Sequence, residues 1–163
     1  MSVLIVVESA FGNTHAVAQH IAEGISGVRG ADQVTLVRVG QAPRELPTDV
    51  DLLLVGAPTH DFTLSKPGTR KQATDKGATE VEHIGVREWI ERVTPRPTLR
   101  TVTFDTSFEK FLSGSAAKAA AKALSKRGFR LAERGESFHV QGRSGPLNEG
   151  EEKRATTWAA ELA

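Results

Sequence analysis

The first fourteen residues combine a continuous apolar run with a short polar loop, and this restricts the folds open to the chain. Residues 3–7 contain no polar side chain, which is typical of a parallel strand covered on both faces. Val17, Ile21 and Ile25 then recur at helical spacing. A buried strand leading directly into a helix predicts a βα unit, and therefore an α/β fold.

The alternation of strand and helix continues along the chain. Four more strands are predicted, at residues 34–39, 52–55, 99–104 and 129–140. Gly27 and Gly30 predict the end of the first helix, and further helices are expected at residues 86–93, 115–126 and 148–162. Five strands with helices between them indicate a three-layer, doubly wound α/β fold. With 163 residues, we expect a single domain spanning 1–163.

The loop after the first strand has the chemistry of an anion site. Its residues are Ser9, Ala10, Phe11, Gly12, Asn13 and Thr14. A helix N-terminus offers unpaired N–H groups and a positive dipole end, and Ser9 and Thr14 add hydroxyl groups. The strings G-x-x-x-x-G-K-[ST] and G-x-G-x-x-G are both missing. The loop therefore suits one terminal phosphate held by neutral donors; the alternative is an ordinary βα turn that favours Gly and Asn.

This loop resembles the phosphate loop of the flavodoxins, which reads roughly T/S-x-T/S-G-x-T. Ser9, Gly12 and Thr14 match that pattern, Asn13 fits its variable position, and Phe11 replaces the usual middle hydroxyl. The resemblance covers nearly the whole chain. It implies a flavodoxin-like fold with a five-stranded parallel sheet of order 2-1-3-4-5 and flavin mononucleotide (FMN) as cofactor. In this strand order ligands bind outside the carboxyl ends of the first and third strands.

The same resemblance implies two walls for the isoalloxazine ring, in the loops expected after the third and fourth strands. One wall would consist of Pro58, Thr59, His60 and Phe62, and the other of Asp105, Thr106, Ser107 and Phe108. Ala10 and Phe11 would contribute backbone N–H groups to the phosphate. Two of these residues have a simpler interpretation: His60 as a solvated loop histidine, and Phe108 as an aromatic side chain packed beneath its loop.

The aromatic residues depart from the flavodoxin pattern, in which a Trp and a Tyr usually stack on the ring. This chain has no tyrosine, and Trp89 and Trp158 fall in predicted helices. An aromatic face contributes roughly 0.5–1.5 kcal/mol beyond area burial. We therefore expect FMN to bind more weakly than in a typical flavodoxin.

Charge is the second departure, because flavodoxins that transfer electrons are typically acidic. Here the formal net charge is +1 and the pI about 8.1. Residues 66–77 contain Lys66, Arg70, Lys71 and Lys76 but only one acidic residue, Asp75. We predict a long loop there, either functional or a flexible solvated insertion. Beside a flavin, this positive charge would raise the reduction potential and suit an acidic partner or the extra phosphate of NADPH.

These features favour a small electron carrier between redox proteins, with acidic partners suited to its positive charge, the chemistry performed by the flavin and no catalytic residue. Two alternatives are open: an NAD(P)H-dependent FMN or quinone reductase, and an interaction module with weak or no flavin binding. The histidines lack metal-ligand spacing, the basic helix lacks the interleaved aromatics of a nucleic-acid reader, and no apolar run would span a bilayer. Zero cysteines and no basic leader predict a cytoplasmic protein; the oligomeric state is left open.

Overall fold

The sheet is parallel and five-stranded, as predicted. We describe residues 1–109 and 114–163 of a computed structural model. Its strands are β1 (Ser2–Val7), β2 (Val34–Arg38), β3 (Val50–Pro58), β4 (Arg100–Phe108) and β5 (Ala132–Val140). They pair in the order β2-β1-β3-β4-β5, every neighbouring pair being parallel. The predicted doubly wound α/β fold is thus confirmed.

Helices cover both faces of the sheet. They are α1 (Asn13–Arg29), α2 (Pro67–Asp75), α3 (Val86–Arg92), α4 (Ala116–Arg127) and α5 (Glu151–Leu162). α1 and α5 pack on one face, and α3 and α4 pack on the other. None of the helices in the described part of the chain is long and apolar enough to cross a membrane.

The central strand β1 explains the uninterrupted apolar run at the start of the chain. Leu4 and Val6 point into the core beneath α3 and α4. Val3, Ile5 and Val7 point into the core beneath α1 and α5. Successive side chains of a strand face opposite sides of the sheet, so a strand covered on both faces needs apolar residues at every position.

Several element boundaries differ from those predicted. β4 continues to Phe108, because Thr106 pairs with Pro58 of β3 and Phe108 with Val140 of β5. Residues 105–108 are therefore the end of a strand, and the prediction that they form a loop after it was wrong. Helix α1 also continues through Gly27 to Arg29 and ends at Gly30.

The predicted long loop at residues 66–77 was also wrong, because this segment contains α2. Pro67 occupies the first helical position, where its missing N–H costs nothing. Thr69 Oγ1 accepts the Lys66 N–H at 2.9 Å and so satisfies a free donor at the helix start. Arg70 and Ala73 are buried. Two of the residues in the segment are thus packed into the protein rather than solvated.

Candidate functional site

A pocket of about 350 Å3 opens at the carboxyl edge of the sheet, beside the ends of β1, β3 and β4. Doubly wound sheets bind their ligands at this edge, and the volume lies within the range usual for small-molecule sites. Eleven of the fourteen residues predicted from the sequence line it: Ala10, Phe11, Asn13, Thr14, Pro58, Thr59, His60, Phe62, Thr106, Ser107 and Phe108. The structure thus brings three separate chain segments together around one cavity.

Ser9 and Gly12 shape the loop between β1 and α1 without lining the pocket. Ser9 is buried, and its Oγ accepts the N–H of Gly12 at 3.1 Å and of His15 at 3.3 Å. Gly12 has a φ of +97°, in the left-handed region that glycine adopts without strain. These two residues therefore act on the conformation of the loop.

The pocket side of this loop presents unpaired donors. The backbone N–H groups of Phe11, Asn13 and Thr14 donate to no acceptor among the residues that the structure describes. Asn13 and Thr14 begin α1, so the positive end of the helix dipole adds to these donors. Such an arrangement binds anions without a lysine.

Hydroxyl groups connect the loop to the neighbouring strands. Thr14 Oγ1 and Thr106 Oγ1 share a buried hydrogen bond of 2.8 Å. The Thr59 N–H donates to the Thr106 carbonyl at 2.9 Å, and Thr59 Oγ1 accepts the Ala116 N–H at 3.1 Å. The floor of the pocket is thus fixed by contacts between β4, the residue after β3 and the start of both α1 and α4.

Asp105 is the third predicted residue that lies outside the pocket lining. It is fully buried, and its Oδ2 accepts Ser115 Oγ at 2.6 Å and the Ala117 N–H at 2.9 Å. A carboxylate here stabilises the N-terminus of α4. Asp105 therefore positions α4 behind the pocket.

A tight turn forms one rim of the pocket. His60 and Thr63 exchange both backbone hydrogen bonds, at 2.8 and 3.0 Å. Between them Asp61 has a φ of 46° and Phe62 a φ of 71°, as in a type I′ turn. A positive φ is uncommon for a bulky residue, and Phe62 is 67% exposed. The turn thus holds an aromatic ring in solvent at the cost of backbone strain, a pattern that recurs at binding sites.

His60 lies behind this turn, where its burial favours the uncharged form of the imidazole. Its Nδ1 is 3.2 Å from Thr69 Oγ1 of α2. Burial lowers the pKa of His60 below its ordinary value; nearby Asp61 opposes the shift, whereas Arg70 and Arg143 add to it. A neutral imidazole keeps one donor and one acceptor, and the side chain is partly buried rather than the solvated histidine of the simpler interpretation.

Phe108 ends β4 on the rim and is 38% exposed. It lines the pocket, and the loop under which the simpler interpretation packs it, at residues 110–113, lies outside the described residues. Phe108 and Phe62 come from different segments and border one cavity.

Six lining residues were missed by the sequence analysis: Asp61, Thr69, Gln72, Ala73, Val140 and Arg143. Thr69, Gln72 and Ala73 belong to α2, which was predicted as a loop. Two residues could have predicted this helix. Pro67 occupies its first position, and the Thr69 hydroxyl accepts the free N–H of Lys66 before the helix. Arg143 follows the carboxyl end of β5 and so lies at the same edge of the parallel sheet, but only the loops after the first, third and fourth strands were considered as parts of the site.

The strain in the turn leads to a test. We expect Phe62→Gly to increase the free energy of unfolding by about 0.5–1 kcal/mol, because a non-glycine residue in the left-handed region costs roughly 1–2 kcal/mol. Urea unfolding of the protein without ligand measures this. Leu131, 53% exposed and without a positive φ, is the matched control, and Leu131→Gly should be destabilising. A lower free energy of unfolding for Phe62→Gly than for the wild-type protein would contradict the interpretation that the backbone at Phe62 is strained.

Comparison with known proteins agrees with this architecture at the level of the fold. The sequence matches no protein-family profile and no curated protein. Among solved structures, oxidised flavodoxin 1 from Bacillus cereus is 15% identical, covering 99% of this chain and 97% of its own, with a TM-score of 0.69. Two-electron reduced Megasphaera elsdenii flavodoxin is 22% identical, covering 98% of both chains, with a TM-score of 0.60.

A flavodoxin, WrbA-like protein from Agrobacterium tumefaciens is 16% identical, covering 99% of this chain and 94% of its own, with a TM-score of 0.53. These similarities extend over nearly the full length of each chain. The protein described here therefore has the flavodoxin-like fold.

Proposed function

We propose that this protein binds one FMN noncovalently and serves as a small electron carrier. The supporting observation is one pocket that combines two kinds of group. Unpaired backbone N–H groups of the described residues lie at the start of α1, and the aromatic side chains Phe62 and Phe108, from two other chain segments, line the same pocket. FMN has a matching pair of groups, with a phosphate at one end and a planar ring at the other.

At the phosphate end, the N–H groups of Phe11, Asn13 and Thr14 would hold the anion. Hydrogen bonds to a charged group contribute about 1.5–3 kcal/mol each, and the helix dipole adds to them. The flavin phosphate would thus be recognised by backbone groups, so the replacement of a hydroxyl residue by Phe11 removes no N–H donor. Riboflavin, which has no phosphate, would lose these contacts.

At the ring end, Phe62 and Phe108 would provide the aromatic faces and Pro58 an apolar edge. Phenyl rings replace the larger indole and phenol rings that flavodoxins usually use, so each face buries less area. His60, whose pKa is lowered by burial and whose Nδ1 lies 3.2 Å from Thr69 Oγ1, would offer a polar contact to the ring edge. FMN binding weaker than in a typical flavodoxin is the expected consequence.

The flavin, when bound, supplies the electron-transfer chemistry. The chain would hold it at an open rim, where Phe62 and Phe108 are exposed, and this accessibility suits exchange with a second protein. Lys66, exposed just before α2, and Arg143 on the pocket add positive charge, which favours an acidic redox partner. Solved structures of similar fold are described as flavodoxins in oxidised and two-electron reduced forms, which supports this role.

The proposal is tested by titrating the apo-protein into FMN and into riboflavin while following flavin fluorescence. We expect saturable quenching of FMN and binding of riboflavin at least tenfold weaker, because the phosphate contacts are lost. No FMN binding at tens of micromolar would overturn the proposal in favour of an interaction module. Rapid oxidation of NADPH by the loaded protein alone would instead indicate the reductase alternative.

A further inference from the structure

An ion pair between Arg38 and Glu80 lies beside the phosphate loop, outside the pocket lining described above. Arg38 ends β2, the neighbour of β1, so it reaches the same edge of the sheet as the loop. Its Nη2 contacts Glu80 Oε1 at 2.6 Å. The Glu80 N–H donates to the Ala10 carbonyl at 3.1 Å. This last bond fixes the segment that carries Glu80 to the loop itself.

The Glu80 carboxylate is packed directly against the loop. A Cβ placed on Gly12 would lie 2.6 Å from Glu80 Oε2. The absence of a side chain at Gly12 therefore provides the space that the carboxylate fills. Arg38 lies immediately behind it, bound to the other carboxylate oxygen. One negative and one positive side chain thus adjoin the unpaired N–H groups of the loop.

The first turn of α1 is sensitive to both charges. Burial lowers the pKa of His15; Arg38 lowers it further, and Glu80 opposes the shift. His15 lies directly after Asn13 and Thr14, whose N–H groups are unpaired. A second charged group bound at this turn would be subject to the same two fields.

Resting on the proposed FMN site, we infer that Arg38 and Glu80 set the selectivity of the pocket for phosphorylated flavin. Arg38 supplies the positive charge that the loop, lacking a lysine, does not have. Glu80 repels the phosphate dianion and at the same time holds the guanidinium in place. The two side chains therefore have opposite effects on the affinity for FMN. They leave the affinity for riboflavin unaffected, because only FMN carries charge at this end.

The test compares FMN and riboflavin affinities of the wild-type protein, Arg38→Gln and Glu80→Gln by fluorescence titration at low salt. For charges this close at a partly exposed site, we expect Arg38→Gln to weaken FMN binding about threefold to tenfold. Glu80→Gln should tighten it by about the same factor. Riboflavin affinity should change by less than about twofold in both, and added salt should reduce the FMN effects because it screens exposed charges.

A matched ion pair serves as control at the other end of the sheet. Arg29, at the end of α1, contacts Asp51, near the start of β3, at 2.8 Å, with an exposure of 23% against 33% for Arg38. Arg29→Gln removes an equal charge and should leave the ratio of FMN to riboflavin affinity unchanged. Urea unfolding of each variant shows whether it remains folded at the titration temperature.

The outcomes separate this inference from the function on which it rests. Wild-type protein that binds FMN no better than riboflavin would overturn both. Wild-type protein that prefers FMN, together with an Arg38→Gln variant that keeps the full preference or loses both flavins equally, would overturn only the inference. A change of the same sign in Arg38→Gln and Glu80→Gln would also overturn it.

Discussion

Replacing Arg70 by alanine is expected to lower the free energy of unfolding by about 3–5 kcal/mol, the usual cost of breaking a buried ion pair from one side. Arg70 is 4% exposed and lies on the inner face of α2. Its Nη2 contacts Glu88 Oε1 at 2.6 Å, and its Nη1 donates to Ser65 Oγ at 2.8 Å. Urea unfolding of the apo-protein measures the loss.

Arg70 matters because two carboxylates depend on it. Ser65 Oγ donates to Glu8 Oε2 at 2.5 Å, and the Val86 N–H donates to Glu8 Oε1 at 2.7 Å. Glu8 is buried and directly precedes the phosphate loop. Without Arg70, the buried Glu8 and the partly buried Glu88 would have no nearby cation from this helix. Removing the guanidinium therefore leaves uncompensated charge, which is more costly than losing an exposed pair.

The loss of stability in Arg70→Ala should depend on pH. Burial raises the pKa of Glu8, and the hydrogen bonds from Ser65 and Val86 and the charge of Arg70 oppose the shift. A carboxyl with a raised pKa contributes stability below its unfolded pKa and loses that contribution as pH rises through its folded pKa. Arg70→Ala raises the pKa of Glu8 further, so its destabilisation should be largest near pH 7 and smaller near pH 4, measured in the same urea series.

The next residue on the same helix is the control. Lys71 pairs with Asp75 at 3.0 Å, but both side chains are more than half exposed. Lys71→Ala should change the free energy of unfolding by no more than about 0.5 kcal/mol. If Arg70→Ala had an equally small effect at every pH, the buried network would not contribute to stability.

The contrast between sheet and site shows what sequence can predict here. The strand order and the two-faced core follow from local patterns, such as the apolar run at 3–7, together with the flavodoxin resemblance. The Glu8 network joins residues far apart in the chain: Glu8 to Ser65 across 57 positions, and Glu8 to Val86 across 78. The periodic spacing of apolar residues contains no information about such long-range contacts. The sequence places Glu8 directly after the apolar run at 3–7 but does not reveal its partners.

The same limit explains why Arg38 was not predicted to lie beside the phosphate loop. The sequence placed it in the second strand, yet only the ends of the first, third and fourth strands were considered as walls of the site. Its partner Glu80 lies in a segment without helix or strand, where no pattern predicts a position. Backbone donors such as the Phe11 N–H were predictable, because they depend on the loop preceding a helix. The positions of side chains from distant parts of the chain, such as Arg38 and Glu80, could be found only from the three-dimensional structure.

Gly12→Ala is expected to weaken FMN binding about tenfold to a hundredfold, the equivalent of one charge-assisted hydrogen bond. At a φ of +97° an alanine costs roughly 1–2 kcal/mol, and its Cβ would lie 2.6 Å from Glu80 Oε2. The Glu80 side chain can move to relieve the contact, but the positive φ strains the loop backbone itself, and its N–H groups shift as that strain is relieved. Fluorescence titration with FMN measures the affinity, and urea unfolding measures the accompanying loss of stability.

Two further variants separate the causes. Gly27 lies inside α1, where an added Cβ meets nothing within 4 Å, so Gly27→Ala should stabilise the protein by about 0.5–1 kcal/mol and leave FMN binding unchanged. In a Glu80→Ala background the clash is gone but the positive φ remains, so Gly12→Ala should still weaken FMN binding there. Full FMN affinity in both backgrounds would mean that the phosphate is not held by this loop, because a displaced loop cannot keep the same hydrogen bonds.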